Sequence, residues 1–239
     1  MKFDEAYWRQ AVKKPDWYLE FLKYIPRELA QKYPDHPKEV KELKKQYLHF
    51  FAEALKSDQV ALAEKGPDLD EQRLPIDTIV IHHTSSDPGY GLDFLNAVHL
   101  LNIYVPYFAN PTDGREKALK GTALWSNHFR DGQQVFYGYH WLMRMDGTFE
   151  RLLEDDQIGW QAGNWEVNRR SIAICLDNDY ENKDPEPQIL QKLADFIKKQ
   201  YPQVKPEGVI GHCEARQGTI CPGKNFLTGW KPLLLEYLR

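Results

Sequence analysis

The stretch DTIVIHHTS, Asp77 to Ser85, decides the fold. It contains a short run rich in β-branched residues, Ile79 to His83, which is apolar on both faces in its first part. A run of this kind is typical of a strand that is covered on both sides, as in the centre of a sheet. The stretch therefore predicts a central strand.

The chain that follows alternates between strand-like and helix-like segments. Within HWLMRMDGTFERLL, the pair Asp146-Gly147 is a strong hairpin signal between two strand-like runs. SIAICLD and GVIGHCE are typical of buried strands, and PQILQKLADFIKKQYP is typical of an amphipathic helix. Strands interleaved with helices predict an α/β domain from about residue 75 to 239, with a central mixed β-sheet flanked by helices.

Two further segments differ from this pattern. Residues 1–74 predict a helical N-terminal region and a linker, with 14 basic and 14 acidic residues, and the sequence assigns them no function. Residues 88–125 predict an excursion inserted into the α/β domain, which begins with an apolar helix that ends at Pro106. Such an excursion could form a groove wall or simply a peripheral helix.

The composition excludes several classes of protein. A net charge of −4 disfavours binding to nucleic acid or to an anionic membrane surface. The sequence has no apolar run of about 18 residues, so it predicts no membrane span, and the N-terminus lacks the apolar core of a signal peptide. Three cysteines are too few for a disulfide framework.

The stretch GHCEARQGTICPG, Gly211 to Gly223, has residues suited to a metal. Zinc prefers thiolate and imidazole ligands, which His212 and Cys221 offer. A third ligand would be needed, and a strand directs only one of His82 and His83 to a given face; the same alternation separates His212 from Cys213. A metal site, a Cys213–Cys221 disulfide and an ordinary turn all remain open on the residues alone.

Four motifs in a fixed order resolve this ambiguity. IVIHHTS, GYHWLMRMDGTFERLLEDDQIGWQAGN, NRRSIAICL and GHCEARQGTICPG together resemble the type 2 N-acetylmuramoyl-L-alanine amidase family, which includes phage lysozyme-type amidases and peptidoglycan recognition proteins. The resemblance covers about residues 76–239 without the excursion. It implies the mixed α/β fold of that family and a zinc-dependent amidase.

The resemblance also implies roles for particular residues. The zinc ligands would be His82, His212 and Cys221, and His83 and Cys213 would then be bystanders. Tyr139 would lie near the metal to orient water or donate to the reacting oxygen, and Thr219 would donate to the same oxygen.

Other positions would line the groove that binds the stem peptide. The resemblance assigns four residues to it: His128, Trp160, Asn164 and Arg170. Two positions depart from the family pattern. Cys175 stands where recycling-type members have a catalytic Glu, and Gln161 replaces a His found in many relatives, which leaves it only a hydrogen-bonding role.

We therefore expect hydrolysis of the amide between the lactyl group of N-acetylmuramic acid and L-alanine, in peptidoglycan or its muropeptide fragments. The alternative is a non-catalytic peptidoglycan-binding module of the same fold. The protein would be made in the cytoplasm and act on fragments there, or on the cell wall as a lysin released at lysis. The sequence does not predict the oligomeric state.

Overall fold

The structure, a computed structural model, describes residues 2–24, 34–110 and 119–239. These residues divide into two compact units. The first contains Met1–Asp68 and Gly91–Phe136, and the second contains Leu69–Tyr90 and Tyr137–Arg239. Most of the expected excursion is thus grouped with the N-terminal helices, whereas the sequence analysis places it as an insertion in the α/β domain.

The secondary structure is numbered along the chain. The α-helices are α1 (Glu5–Ala11), α2 (Trp17–Phe21), α3 (Pro37–Lys56), α4 (Leu92–His99), α5 (Val105–Ala109), α6 (Trp165–Asn168), α7 (Pro187–Gln200), α8 (His212–Ala215) and α9 (Lys231–Leu238). The strands are β1 (Thr78–His83), β2 (Phe129–Arg130), β3 (Gln133–Gln134), β4 (Trp141–Met143), β5 (Phe149–Arg151), β6 (Ser171–Leu176) and β7 (Val209–Gly211). No helix among the described residues is long and apolar enough to cross a membrane.

An aromatic cluster holds the first unit together. The ring of Trp8 in α1 lies 5.7 Å from that of Phe21 and 5.6 Å from that of Tyr47 in α3, and its indole N–H donates to the Tyr47 hydroxyl. Edge-to-face contacts of this kind add to the free energy of apolar burial. The helical stretch expected to end at Pro106 instead reaches Ala109, through α4, a π-helical segment at Leu100–Tyr104, and α5. Pro106 lies in the first turn of α5, a position where proline is tolerated.

The second unit is built on a five-stranded mixed sheet with the order β5-β4-β6-β1-β7. Strands β4, β6, β1 and β7 are parallel to their neighbours, whereas β5 is antiparallel to β4. All six residues of β1 are buried, which confirms the prediction of a central, doubly covered strand. The predicted fold class, a mixed sheet flanked by helices, is also confirmed.

The two faces of β1 have different surroundings. Ile79 and Ile81 belong to a core shared with residues of α7 and α9, such as Leu193 and Leu234. Val80 packs with Ala162 and Val167 on the other face. Because side chains alternate along a strand, His82 lies on the face of Val80, and His83 lies on the face of Ile79 and Ile81.

Two turns connect the predicted strands. The Asp146-Gly147 hairpin between β4 and β5 is confirmed, with Gly147 at φ +83° and the Thr148 N–H bound to the Asp146 side chain at 2.9 Å. The prediction that GVIGHCE is a strand throughout is wrong beyond Gly211. The Glu214 carboxylate accepts the Gly211 N–H at 2.8 Å and so caps the first turn of α8, which begins at His212.

The core between the sheet and α7 yields a stability prediction. Leu193 is fully buried there, so Leu193→Ala leaves a cavity and should lower the free energy of unfolding by about 2–5 kcal/mol. Chemical denaturation followed by circular dichroism measures this. Lys199→Ala, at an exposed position of the same helix, should change it by about 0.5 kcal/mol or less. Equal effects of the two variants would contradict the assigned core.

Candidate metal centre

Three potential ligands meet at the carboxyl end of β1. His82 lies near the end of that strand, His212 is the first residue of α8, and Cys221 lies in the loop that follows α8. One ligand atom from each lies within 4.8 Å of the others. The Cys221 Sγ is 3.6 Å from His82 Nδ1, and the two histidine rings are 4.7 Å apart. The fold thus brings together His82 and Cys221, which are 139 positions apart in the sequence.

Two glycines, at the start of α8 and in the loop after it, allow the chain to pack closely against its neighbours. A Cβ on Gly211 would lie 2.4 Å from the ring of Phe226, and a Cβ on Gly223 would lie 2.3 Å from the Tyr180 carbonyl oxygen. Gly223 also has φ +149°, which other residues rarely adopt. The Cys213 N–H donates to the Cys221 carbonyl at 2.8 Å, which ties the loop to α8.

The donor set fits a zinc ion. Within the described residues, the buried Nε2 of His212 has no hydrogen-bond partner, as expected of an atom that would bind a metal. Zinc bond lengths of about 2.0 Å to nitrogen and 2.3 Å to sulfur, at a tetrahedral angle, put the two ligand atoms about 3.6 Å apart. The separation of Cys221 Sγ from His82 Nδ1 is 3.6 Å. One thiolate and two imidazoles leave a fourth position open, as in catalytic zinc sites.

Burial sets the protonation of this cluster. It lowers the pKa of His212 to about 4, together with a smaller effect of the charge of Arg216. It raises the pKa of the Cys221 thiol to about 12, against the opposing effect of the His83 backbone N–H, which donates to the sulfur. Near neutral pH and without a metal, His212 is therefore neutral and Cys221 is a protonated thiol.

Tyr139 lies against the cluster, at a ring distance of 4.7 Å from His82. Its hydroxyl hydrogen-bonds with the thiol of Cys175, which lies on β6 and is fully buried. Burial raises the pKa of Tyr139 well above its ordinary value, and the neighbouring thiols of Cys175 and Cys221 reinforce this. The phenol is consequently a proton donor at neutral pH, and it does not act as a base.

Thr219 is two residues from Cys221 and contacts it directly. Its Oγ1 accepts a hydrogen bond from the Cys221 N–H at 3.2 Å. This bond uses a lone pair of the hydroxyl and leaves its proton available to another acceptor. Thr219 therefore both shapes the ligand loop and offers a donor beside Cys221.

The two residues expected to be bystanders have their own partners. His83 Nδ1 accepts the Tyr180 N–H at 2.9 Å, so its Nε2 carries the proton and donates to Ser85 Oγ at 2.9 Å. Because His83 Nε2 is protonated, this pair is not a serine–histidine nucleophile.

Cys213 forms no disulfide with Cys221, since all three cysteines of the chain are free. His212 and Cys213 diverge because successive helix residues turn by about 100°, and the strand alternation first used to separate them does not apply.

The residues expected to line a peptide groove are dispersed. Arg170 directly precedes β6 and pairs with Asp77, which directly precedes β1, at 2.7 Å. Both lie at the amino ends of these parallel strands, opposite to His82, so the structure does not bring Arg170 to the cluster. Asn164 caps α6 by accepting the Val167 N–H. Trp160 is half-buried, and His128 is buried in the first unit, so their groove roles stay predictions.

Gln161 contacts His82, which the sequence motifs did not indicate. Its Oε1 lies 2.5 Å from His82 Nε2, and its side-chain amide donates to Ser171 Oγ at 3.0 Å. The sequence shows that Gln161 replaces a His found in many relatives. It does not show that the new side chain meets His82, which lies on a strand 79 residues earlier.

Comparisons with known proteins found similar sequences. A family model described as N-acetylmuramoyl-L-alanine amidase matches residues 72–224, which is more than half of the chain. The chain is 26% identical over 178 residues to 1,6-anhydro-N-acetylmuramyl-L-alanine amidase AmpD of Haemophilus influenzae, covering 68% of this chain and 85% of that protein.

Two solved structures are also similar. One is the Ph2119 endolysin from a Thermus scotoductus bacteriophage, with 21% identity, a TM-score of 0.43, and coverage of 69% of this chain and 86% of the endolysin. The other is the Drosophila peptidoglycan recognition protein SD, with 20% identity, a TM-score of 0.40, and coverage of 69% and 83%.

The protonation of the cluster predicts the proton balance of metal binding. Zn²⁺ should release about one proton at pH 7, because the Cys221 thiol must ionise while His212 is already neutral. Affinity should therefore rise about tenfold for each pH unit, below the raised pKa of Cys221. Calorimetry in buffers with different ionisation enthalpies measures the released protons. Cys221→Ser should abolish tight binding, and release of no proton by the unaltered protein would contradict the assigned thiol ligand.

Proposed function

Because the chain belongs to the N-acetylmuramoyl-L-alanine amidase family, we propose that it is a zinc-dependent enzyme. The bond it hydrolyses is the amide between the lactyl group of N-acetylmuramic acid and L-alanine, in peptidoglycan or its fragments. The observation that supports this most directly is the convergence of His82, His212 and Cys221, with ligand atoms within 4.8 Å of one another. A domain that only binds peptidoglycan has no need of such a donor set.

Zinc in a site with an open position makes a water molecule nucleophilic near neutral pH and polarises a carbonyl group. The chain's own residues would hold the ion and orient the substrate. The two imidazoles offer neutral nitrogen donors, and Cys221 offers a sulfur that becomes a thiolate when it binds metal. The negative thiolate would partly neutralise the positive zinc ion, and burial would strengthen the attraction between them.

Tyr139 is proposed to donate a hydrogen bond to the substrate carbonyl oxygen as negative charge develops on it. Its raised pKa keeps the hydroxyl protonated throughout the neutral range. Its ring lies 4.7 Å from that of His82, so the phenol is held beside the cluster. Preorganised donors of this kind stabilise the transition state more than the ground state.

Thr219 is proposed as a second donor to the same oxygen. Its hydroxyl oxygen is fixed by the Cys221 N–H, which leaves its proton free to face the substrate. Two donors from different segments, one from the approach to β4 and one from the ligand loop, would hold the carbonyl from two directions.

The substrate is proposed to be a muropeptide that carries N-acetylmuramic acid linked to L-alanine. The name of the Haemophilus influenzae relative specifies 1,6-anhydro-N-acetylmuramyl-L-alanine, and this chain covers 85% of that protein. Soluble 1,6-anhydro fragments are therefore substrates to compare with intact cell-wall polymer.

Digestion of defined substrates tests the activity. Purified peptidoglycan and 1,6-anhydromuropeptides should each be incubated with metal-replete protein and analysed by mass spectrometry. We expect peptides with a new L-alanine amino terminus and a glycan that has lost its peptide. A chelator should abolish both products, and added Zn²⁺ should restore them.

The controls distinguish a zinc-dependent amidase from a module that only binds peptidoglycan. His212→Ala should remove zinc and activity together. Binding of muropeptide by metal-replete protein without any cleavage product would contradict the proposal and identify a peptidoglycan-binding module. Cleavage that persists after complete removal of the metal would contradict zinc dependence.

Substitution of the phenol tests its role. Tyr139→Phe keeps the ring but removes the donor, and it should lower kcat by about 10²–10³-fold with zinc content unchanged. Steady-state kinetics with a muropeptide and metal analysis measure both quantities. Tyr180→Phe makes the same change at a buried hydroxyl that contacts Met145, and it should leave kcat unaltered. A kcat for Tyr139→Phe equal to that of the unaltered enzyme would remove Tyr139 from the reaction.

A further inference from the structure

The buried side chain of Gln161 contacts one of the candidate histidine ligands. Gln161 Oε1 lies 2.5 Å from His82 Nε2. It therefore holds the far side of this imidazole, opposite to the nitrogen Nδ1 that faces Cys221.

This contact specifies which ring nitrogen of His82 carries the proton. An amide oxygen only accepts hydrogen bonds, so the nitrogen that faces it is an N–H donor. His82 is thus protonated at Nε2, and its unprotonated Nδ1 faces Cys221 Sγ at 3.6 Å.

Gln161 and the following residue, Ala162, are themselves fixed by buried side chains. Asn168 Oδ1 accepts the Ala162 N–H at 2.8 Å and the Gln161 N–H at 3.3 Å. The Gln161 side-chain amide donates to Ser171 Oγ at 3.0 Å, which orients its oxygen towards His82. Gln161 and Asn168 are each 6% exposed, and Ser171 is 0% exposed. Such buried groups hold one geometry because leaving a buried hydrogen bond unmade is unfavourable.

We propose that Gln161 is a positioning residue that sets the tautomer and ring orientation of His82 for metal binding. The inference rests on the metal site of the proposed function and concerns a residue that is not itself a metal ligand. It assigns Asn168 and Ser171 the supporting task of holding Gln161 in place. Partners that bind the far nitrogen of a metal-binding histidine are known to alter metal affinity by about 10–100-fold.

Nuclear magnetic resonance of the unaltered, metal-free protein tests the tautomers directly. Long-range ¹H–¹⁵N spectra distinguish a protonated ring nitrogen from a bare one. We expect His82 with its proton on Nε2. A proton on His82 Nδ1 would overturn the proposal, because the Gln161 amide would then be donating rather than accepting.

Zinc affinity, measured by competition with a chelator, tests the energetic consequence. Gln161→Leu removes the acceptor and should weaken zinc binding by about 10–100-fold. Gln161→Glu keeps an acceptor oxygen and should stay within about threefold of the unaltered protein. Gln157→Leu is the matched control, since this glutamine lies in the same segment and accepts the Glu154 N–H instead, and it should bind zinc normally.

The outcomes are separable from the proposed activity. A folded Gln161→Leu variant with unaltered zinc affinity would overturn the positioning role. Should that variant fail to fold, the tautomers of the unaltered protein decide the matter alone. Neither measurement uses turnover, so an inactive protein with the expected tautomers and affinities would contradict the amidase proposal and leave this inference intact.

Discussion

The alternation of side chains along β1 is the constraint on which the candidate site depends. The strand is paired along both edges with β6 and β7, and all six of its residues are buried, so neither of its faces is available to solvent. Two consecutive histidines at its end must therefore point into two different environments. His82 meets His212 and Cys221, whereas His83 is bound by the Tyr180 N–H and separated from the cluster. A one-residue shift in the register of β1 would exchange these roles and dismantle the site.

Much of this arrangement is readable in the sequence, for physical reasons. The β-branched run before His82 and the Asp146-Gly147 turn are local signals, so the sheet follows from them. The break of β7 at Gly211 is not readable in this way, because it depends on the Glu214 carboxylate reaching back to one N–H. Arg170 shows a second limit, since a motif position does not reveal that its guanidinium pairs with Asp77 at the far end of the strands.

Low dielectric surroundings give the cluster its chemical character. Burial disfavours charge on every group in it, so the imidazole of His212 loses its proton readily, and the thiol of Cys221 and the phenol of Tyr139 keep theirs. The same environment makes a divalent cation and a thiolate strongly attractive to each other. His212 and Cys221 are thus both uncharged near neutral pH without a metal. Cys221 would become a thiolate only on binding the cation. Sequence motifs identify the residue types, but this collective property arises from packing.

The raised pKa of Cys221 has a further consequence for the durability of the protein. Oxidants and disulfides react with thiolates, and a thiol with a pKa of about 12 contains almost no thiolate at neutral pH. Cys213, close enough for its N–H to bind the Cys221 carbonyl, likewise has a raised pKa caused by burial. Without a metal, these two neighbouring thiols would therefore form a disulfide only slowly at neutral pH. The burial that raises the pKa of Cys221 would thus also protect the metal-free chain against oxidation.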